Sequence, residues 1–377
     1  MRVPTPVQLD PHAADLHQRV NSLPAAAGIY ALQWPGSAPH LSWSANLRRR
    51  LLRLLVLSYT GSDSLVSRLR GNILKVECWP TGSRLESNLL LYELARHYFP
   101  GDYLARLKLR MPWFLSLTGD PYPRLAVLNR IPQRSRLVLG PFLTRDLATQ
   151  YEQETLGLFQ LRRCTEALAP VPEHPGCIYG EMNQCLRPCQ CAVTAEEYAT
   201  ETTRAAEFLS TNGSAPIAVL SAARERAAES MNFEEAAEIH KRVERMRSAA
   251  AARHEVVAEI QSFSGVALTR SSVSREFRLW PMFEGYWQDP VTIDCSLEQA
   301  NSKSLDQNLR ELLDGAFEAP VAEGKRLEHL AIFSRWYYSS SRDGEWFGCR
   351  SLGDLNFRRL VRALSKLAKA DAVNSSS

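Results

Sequence analysis

Five of the eight cysteines of this 377-residue chain fall between positions 164 and 191: Cys164, Cys177, Cys185, Cys189 and Cys191. Thiolates held close together repel one another, and a cation that neutralises them is the usual reason for such crowding. Cys185 and Cys189, with three residues between them, can grip one metal centre from a tight loop. Cys164 and Cys177 can approach it from more distant chain. Four thiolates suit tetrahedral zinc or a cubane iron–sulfur cluster. The spacing leaves both open, because the short Cys-x-x-Cys knuckle of zinc ribbons is missing. The competing reading is a set of unligated cysteines, a residue common in cores. Arg162, Arg163 and Arg187 stand beside the cluster in sequence, where they can offset its charge or face solvent.

A second group is basic. Arg48, Arg49, Arg50 and Arg53 crowd one short stretch, and residues 1–110 carry fourteen Lys and Arg against seven Asp and Glu, a net of +7. The whole chain is +4, which leaves −3 for the remainder. A basic amino-terminal third fits a polyanionic partner, although a solvated arginine-rich face explains the same composition. Hydrophobic residues at 45% and charged residues at 23% are ordinary for a globular protein. No apolar run reaches the roughly 18 residues of a membrane span, and the polar stretch Met1–Val20 has no signal-peptide core. A cytoplasmic location is expected, where thiols stay reduced and clustered cysteines suggest metal or redox chemistry before disulfides.

These residues need elements to position them. Ile29–Trp34 reads as a strand and Leu41–Ser44 as its short partner, with a turn at Pro35-Gly36-Ser37. Asn46 is placed to cap a helix running to about Ser58, whose Leu47, Leu51, Leu54 and Leu55 share a face. Ile73–Trp79 alternates like a strand, and Arg84–Phe99 reads as a helix with Leu90, Leu94 and Tyr98 at four-residue steps. Thr144–Leu161 reads as helical, and a cysteine-rich loop fills 162–193. Two helices follow, at about 216–229 and 233–252, with Asn232 and Glu235 in a capping-box pattern. Beyond 260 the pattern is less legible. Phe277–Trp287 and Ala331–Tyr338 read as aromatic strand-like runs, and a basic helix is predicted near Leu355–Ala370. A length of 377 residues suggests two or three units.

Several segments, in order, resemble the UvrC excinuclease family. Gly28-Ile29-Tyr30 matches the GIY of its GIY-YIG nuclease module, and Ala45–Leu51 resembles the A-K-N-L-R-K-R-L run. Gly140-Pro141-Phe142 looks like its G-P-Y/F. Leu161-Arg162-Arg163-Cys164-Thr165 resembles L-R-x-C-T, and Pro175–Cys177 with Asn183–Cys189 resembles R-P-C-L-x-Y-Q-I-x-R-C-x-A-P-C. Met231-Asn232-Phe233-Glu234-Glu235-Ala236-Ala237 looks like the core of the UVR motif. The similarity spans about residues 23–250.

The resemblance implies an α+β multidomain protein: a degenerate GIY-YIG-like α/β domain at 23–105, a linker α/β region at 106–160, the cysteine cluster at 161–195, a UVR helical hairpin at 214–252, and an α+β domain of unclear role at 260–377. It implies a 4Fe–4S cluster on Cys164, Cys177, Cys185 and Cys189, with zinc as the alternative and Cys191 left over. The hairpin would dock a UvrB-like protein through Phe233, Ala236, Ala237, His240 and Val243. DNA would be met by Arg48, Arg49 and Arg53.

For catalysis the resemblance places Tyr30 at the GIY tyrosine and Arg50 at the phosphate-stabilising arginine. The remaining positions fail. His40-Leu41-Ser42 stands where YIG should, Trp43 replaces a lysine, and Leu91 falls where the family's metal-binding glutamate belongs. Glu93, two residues on, is expected to face solvent. His40 is a candidate substitute base, but leucine gives magnesium no oxygen. The expected function is therefore a DNA-binding protein of nucleotide excision repair with an impaired nuclease site. One alternative is an active single-cut endonuclease resembling Cho, which would need magnesium or manganese. The other is a redox-responsive interaction scaffold. The region after 260 shows no convincing match to the family's second, RNase H-like nuclease.

Overall fold

The computed structural model describes residues 3–56, 72–294, 304–315 and 325–375. The chain forms two units, one from residues 1–110 together with 263–377, the other from 111–262. The architecture is mixed α and β with several sheets, as expected.

The amino-terminal part of the first unit contains β1 (Val7–Leu9), α1 (Leu16–Asn21), β2 (Gly28–Gln33), β3 (His40–Ser44), α2 (Leu47–Leu51), β4 (Lys75–Pro80), α3 (Arg84–Tyr98) and α4 (Tyr103–Leu107). The four strands form an antiparallel sheet in the order β1-β4-β2-β3. Asn46 caps α2 as expected, its side chain accepting the Arg49 N–H at 2.9 Å. The helix widens into a π-type turn over Leu52–Val56. The last two residues of the expected helix, Leu57 and Ser58, lie outside the described residues.

Alternation along β2 decides the layers. Tyr30 and Leu32 pack with Leu47, Leu51 and Leu55 on one face. Ile29 and Ala31 pack with Trp79 and with Leu90 and Leu94 of α3 on the other. Gly28 starts β2 where the backbones crowd: a Cβ there would stand 2.6 Å from the Trp79 carbonyl oxygen.

The second unit contains β5 (Trp113–Thr118), β6 (Leu125–Leu128), β7 (Ser135–Phe142), α5 (Arg145–Leu156), α6 (Ile178–Glu181), α7 (Ala195–Thr211), α8 (Ser214–Glu229), α9 (Phe233–Ala251) and β8 (Ala258–Glu259). Its sheet order is β6-β5-β7-β8. Leu115, Leu139 and Phe142 meet Tyr151 of α5 and Tyr198, Phe208 and Leu209 of α7 in one core. Helix α7 arises where the residue pattern predicts none, yet its start carries a full capping box. The Thr194 hydroxyl accepts the Glu197 N–H and the Glu197 carboxylate accepts the Thr194 N–H.

The carboxy-terminal part of the first unit has β9 (Ser264–Arg270), β10 (Glu276–Phe283), β11 (Tyr286–Trp287), β12 (Val291–Asp294), α10 (Leu305–Leu313), α11 (Arg326–Tyr337), β13 (Glu345–Cys349) and α12 (Phe357–Ser375). Its sheet runs β11-β10-β9-β13, with β12 also on β10. Ala331–Tyr338, expected as a strand, is helical in α11 up to Tyr337. Its Leu330, Phe333, Trp336 and Tyr337 are all buried and recur at three- and four-residue steps, a helical period that aromatic content alone obscures.

The two parts of this unit are joined by polar contacts. The Arg278 guanidinium donates to the Glu86 carboxylate, the Arg84 N–H donates to Asp343 at 2.6 Å, and the Tyr92 and Tyr103 hydroxyls both donate to Glu328.

Candidate functional site

The structure brings Tyr30, Arg50 and His40 together. Arg50 Nε donates to the Tyr30 hydroxyl at 3.1 Å, and the Tyr30 and His40 rings lie 6.4 Å apart. Tyr30 is 1% exposed. His40 is exposed as a residue, but its ring packs beside Tyr30 and Trp34. That partial burial, followed by the Arg50 charge, holds its pKa below the ordinary histidine value. A neutral imidazole is the form that accepts a proton.

Leu91 is not part of this group. It lies on α3 and packs against the Ile29 and Ala31 cluster, on the sheet face opposite Tyr30. A cleft of about 180 Å³ opens beside it, walled by Trp43, Arg84, Asn88 and Leu91 and by Arg335 and Trp336 of α11. No carboxylate is among its lining residues. Arg84 instead stacks over Trp43, 5.4 Å from the ring centroid. Glu93, expected to face solvent, is only 17% exposed and pairs with Arg96 at 3.0 Å. That pairing follows from their three-residue spacing on one helix.

Of the arginines expected on a DNA face, Arg49 and Arg53 are exposed and about one turn apart. Arg48 is half-buried, with one guanidinium nitrogen 3.5 Å from the Asn21 carbonyl.

The cysteine loop is organised around an arginine. Arg162 is 4% exposed and donates to the carbonyls of Tyr122 at 2.6 Å, Cys164 at 3.1 Å and Glu166 at 3.0 Å. It also pairs with Asp120 at 3.2 Å, and its N–H donates to Tyr198 Oη at 2.9 Å. From the sequence, Arg162 is legible only as a charge offset. Its partners, Asp120, Tyr122 and Tyr198, carry no local signal of this role.

The guanidinium of Arg162 also reaches Cys164 Sγ at 3.6 Å, and the Arg187 N–H donates to Cys185 Sγ at 3.4 Å. Burial first, and then the charges of Cys177, Cys164 and Cys189, push the Cys185 thiol up. Cys189 is raised by burial and by Cys177 and Cys164. The four expected ligands thus share one electrostatic neighbourhood, and Cys191 is not among those that act on Cys185 or Cys189. Among the described residues no three His, Cys, Asp or Glu side chains converge closely enough to hold an ion as they stand. The donor chemistry fits a thiolate-bound centre, since N–H groups already point at two of the sulfurs.

Helices α8 and α9 form a hairpin, and Asn232 caps α9 by accepting the Glu235 N–H at 3.3 Å. The expected docking stripe divides. Phe233, Ala237 and His240 are exposed, Ala236 is half-buried, and Val243 is fully buried. Val243 is therefore unavailable to a partner. Met231, in the loop, adds a side chain 79% exposed beside Phe233 at 69%.

No helix among the described residues is long and apolar enough to cross a membrane.

Residues 112–208, which include every cysteine of the loop, match the family described as UvrC/Cho excinuclease, middle domain. Over 240 residues the chain is 27% identical to UvrABC system protein C of Desulfitobacterium hafniense, covering 62% of this chain and 38% of that protein. It is 28% identical to UvrABC system protein C of Sphingopyxis alaskensis, covering 62% and 36%. The chain spans about two-fifths of the length of these relatives. No solved structure matches it. With the middle-domain match lying on the segment that holds the cysteine loop, and with these identities beside it, the chain is UvrC-like.

Proposed function

We propose that this protein serves nucleotide excision repair as a UvrC-like, DNA-binding protein whose GIY-YIG-like module no longer cuts. The observation that carries the second half is the cleft at Leu91. Where the family's metal carboxylate is expected, two guanidiniums and two indoles line the wall. Such a wall offers a hard cation no anionic oxygen and repels its charge.

DNA is met by the exposed Arg49 and Arg53, and a UvrB-like partner docks at the hairpin through Met231, Phe233, Ala237 and His240. A 4Fe–4S cluster is held by Cys164, Cys177, Cys185 and Cys189. When bound, it neutralises the thiolates and ties together three segments of the loop.

The incision assay tests this reading. With damaged duplex, a UvrB-like protein and magnesium or manganese, the strands are expected to stay intact. The assembled Tyr30, Arg50 and His40 group favours a second reading, a Cho-like endonuclease that makes one cut. A nick that disappears in Tyr30→Phe or Arg50→Ala would establish that reading and end the first. DNA contact is tested separately. Arg49→Ala combined with Arg53→Ala is expected to reduce the slope of log K against log salt by about 1.8, near 0.9 for each lost phosphate contact. An unchanged slope removes these residues from the interface.

A further inference from the structure

Helix α12 divides its two sides between different uses. Its apolar side, Phe357, Leu360 and Leu364, is 2%, 0% and 0% exposed in the carboxy-terminal core, against Val266, Leu268 and Phe277 of the sheet. Its other side carries Arg358, Arg362, Lys366 and Lys369, all exposed. These four fall at steps of four, four and three residues. At 100° and 1.5 Å per residue they form a single stripe about 16 Å long and within about 80° of arc.

Among the described residues none of the four is paired with a carboxylate. The neighbouring Arg359 is committed: it pairs with Glu345 at 2.6 Å and sits over Phe347. The acids of α10, which packs on α12, are also engaged locally. Asp306 pairs with Arg310 at 2.9 Å, and the Gln307 amide donates to Glu311 at 3.4 Å. The like charges of the stripe are therefore left facing one another and the solvent.

We infer that this stripe is a second nucleic-acid contact, binding the phosphate backbone of DNA without reading its bases. Two features decide the ligand class. A basic amphipathic helix holds to an anionic membrane mainly by burying its apolar face in lipid. Here that face is already used inside the protein, which leaves only the weaker headgroup attraction of its charges. A single small anion needs convergent donors, whereas these cations are spread in a row about 6 Å apart along the axis, a layout that suits a polymer of phosphates. Arginine and lysine are interchangeable at such a surface because point charge, not bidentate geometry, is what the backbone requires.

This surface rests on the DNA-binding reading above and adds to it a site distant in sequence from Arg49 and Arg53. The test measures anisotropy of a labelled 20-base-pair duplex at several salt concentrations. It compares the 377-residue chain, Arg362→Ala with Lys366→Ala, and the fourfold Ala variant of the stripe. Alanine keeps helix propensity, and an unchanged thermal transition verifies the fold. The slope of log K against log salt is expected to fall by about 1.8 in the double variant and about 3.6 in the fourfold one, with the loss the same for unrelated duplex sequences. Arg362→Lys should bind like the parent. A parent that binds duplex with a slope untouched by the stripe variants overturns this inference and leaves the reading above in place. A parent that binds no DNA at low salt overturns both. Stripe-dependent binding to phosphatidylserine vesicles, with duplex binding unaffected, overturns the choice of ligand.

Discussion

Arg278→Ala is expected to destabilise the unit formed by residues 1–110 and 263–377 by about 3 kcal/mol at neutral pH. That is the lower end of the roughly 3–5 kcal/mol typical when one partner of a buried pair is removed. The low end applies because Arg278 keeps 24% of its side-chain exposure, whereas Glu86 keeps only 4%. Loss of the guanidinium leaves the Glu86 carboxylate buried, with the Gly82 N–H, 2.8 Å away, still donating to it.

The pH dependence has a definite sign. Burial already raises the Glu86 carboxyl above its ordinary value, against the pull of Arg278 and of Gly82. Without Arg278 the carboxyl rises further. A carboxyl raised on folding contributes stability below its unfolded pKa and loses it as pH climbs through the folded value. The variant should therefore recover toward the parent as pH falls from 7 to 5. Urea unfolding at the two pH values measures this. Equal stability of variant and parent at pH 7 would show that the pair is not buried in solution. Replacing both partners, Glu86→Leu with Arg278→Met, should restore most of the loss, since the desolvated charges disappear together.

The second large effect concerns the four cysteines proposed as sulfur ligands. Cys185→Ala is expected to abolish the inorganic centre and, with it, the added stability of the 111–262 unit, while Cys191→Ala keeps both. Anaerobic purification followed by metal and sulfide analysis and a visible spectrum decides this. About four irons and four sulfides per chain are expected, and one zinc instead would replace the cluster by a ribbon-like site. Iron retained in Cys185→Ala would remove that residue from the ligand set. Because burial raises the Cys185 and Cys189 thiols, they hold their protons at neutral pH when unligated. Loading releases those protons, so it should strengthen as pH rises.

What the sequence makes legible follows from the range of the interactions. The caps at Asn46 and Asn232 span three residues and can be read from side-chain type alone. The cysteine cluster is visible because its members crowd one stretch of chain. The strand at Ile29 and the faces of α2 and α3 follow from period. Ala331–Tyr338 misleads because a short aromatic run satisfies either period until its burial is known. Helix α7 is easily overlooked, although Thr194 and Glu197 announce it. The burial of Arg162 depends on Asp120 and Tyr198, about forty residues away on either side, and the Glu86 to Arg278 pair spans 192 positions. No local pattern reports such contacts, although those of Arg162 organise the cysteine loop. The separation of Leu91 from Tyr30 likewise needs the sheet, because which face a helix covers is a tertiary fact.

The first unit is interrupted in sequence by the whole of the second. A ribosome therefore releases α3 well before the strand that bears Arg278. At roughly 5–20 residues per second, on the order of ten to forty seconds of synthesis separate the two. During that interval the Glu86 carboxylate on α3 has the Gly82 N–H but no guanidinium, and water must complete its solvation. The 111–262 segment can meanwhile complete its own core. A chain ending before Arg278 is therefore expected to retain a cooperative thermal transition for the 111–262 unit while the unit completed by residues 263–377 stays unfolded.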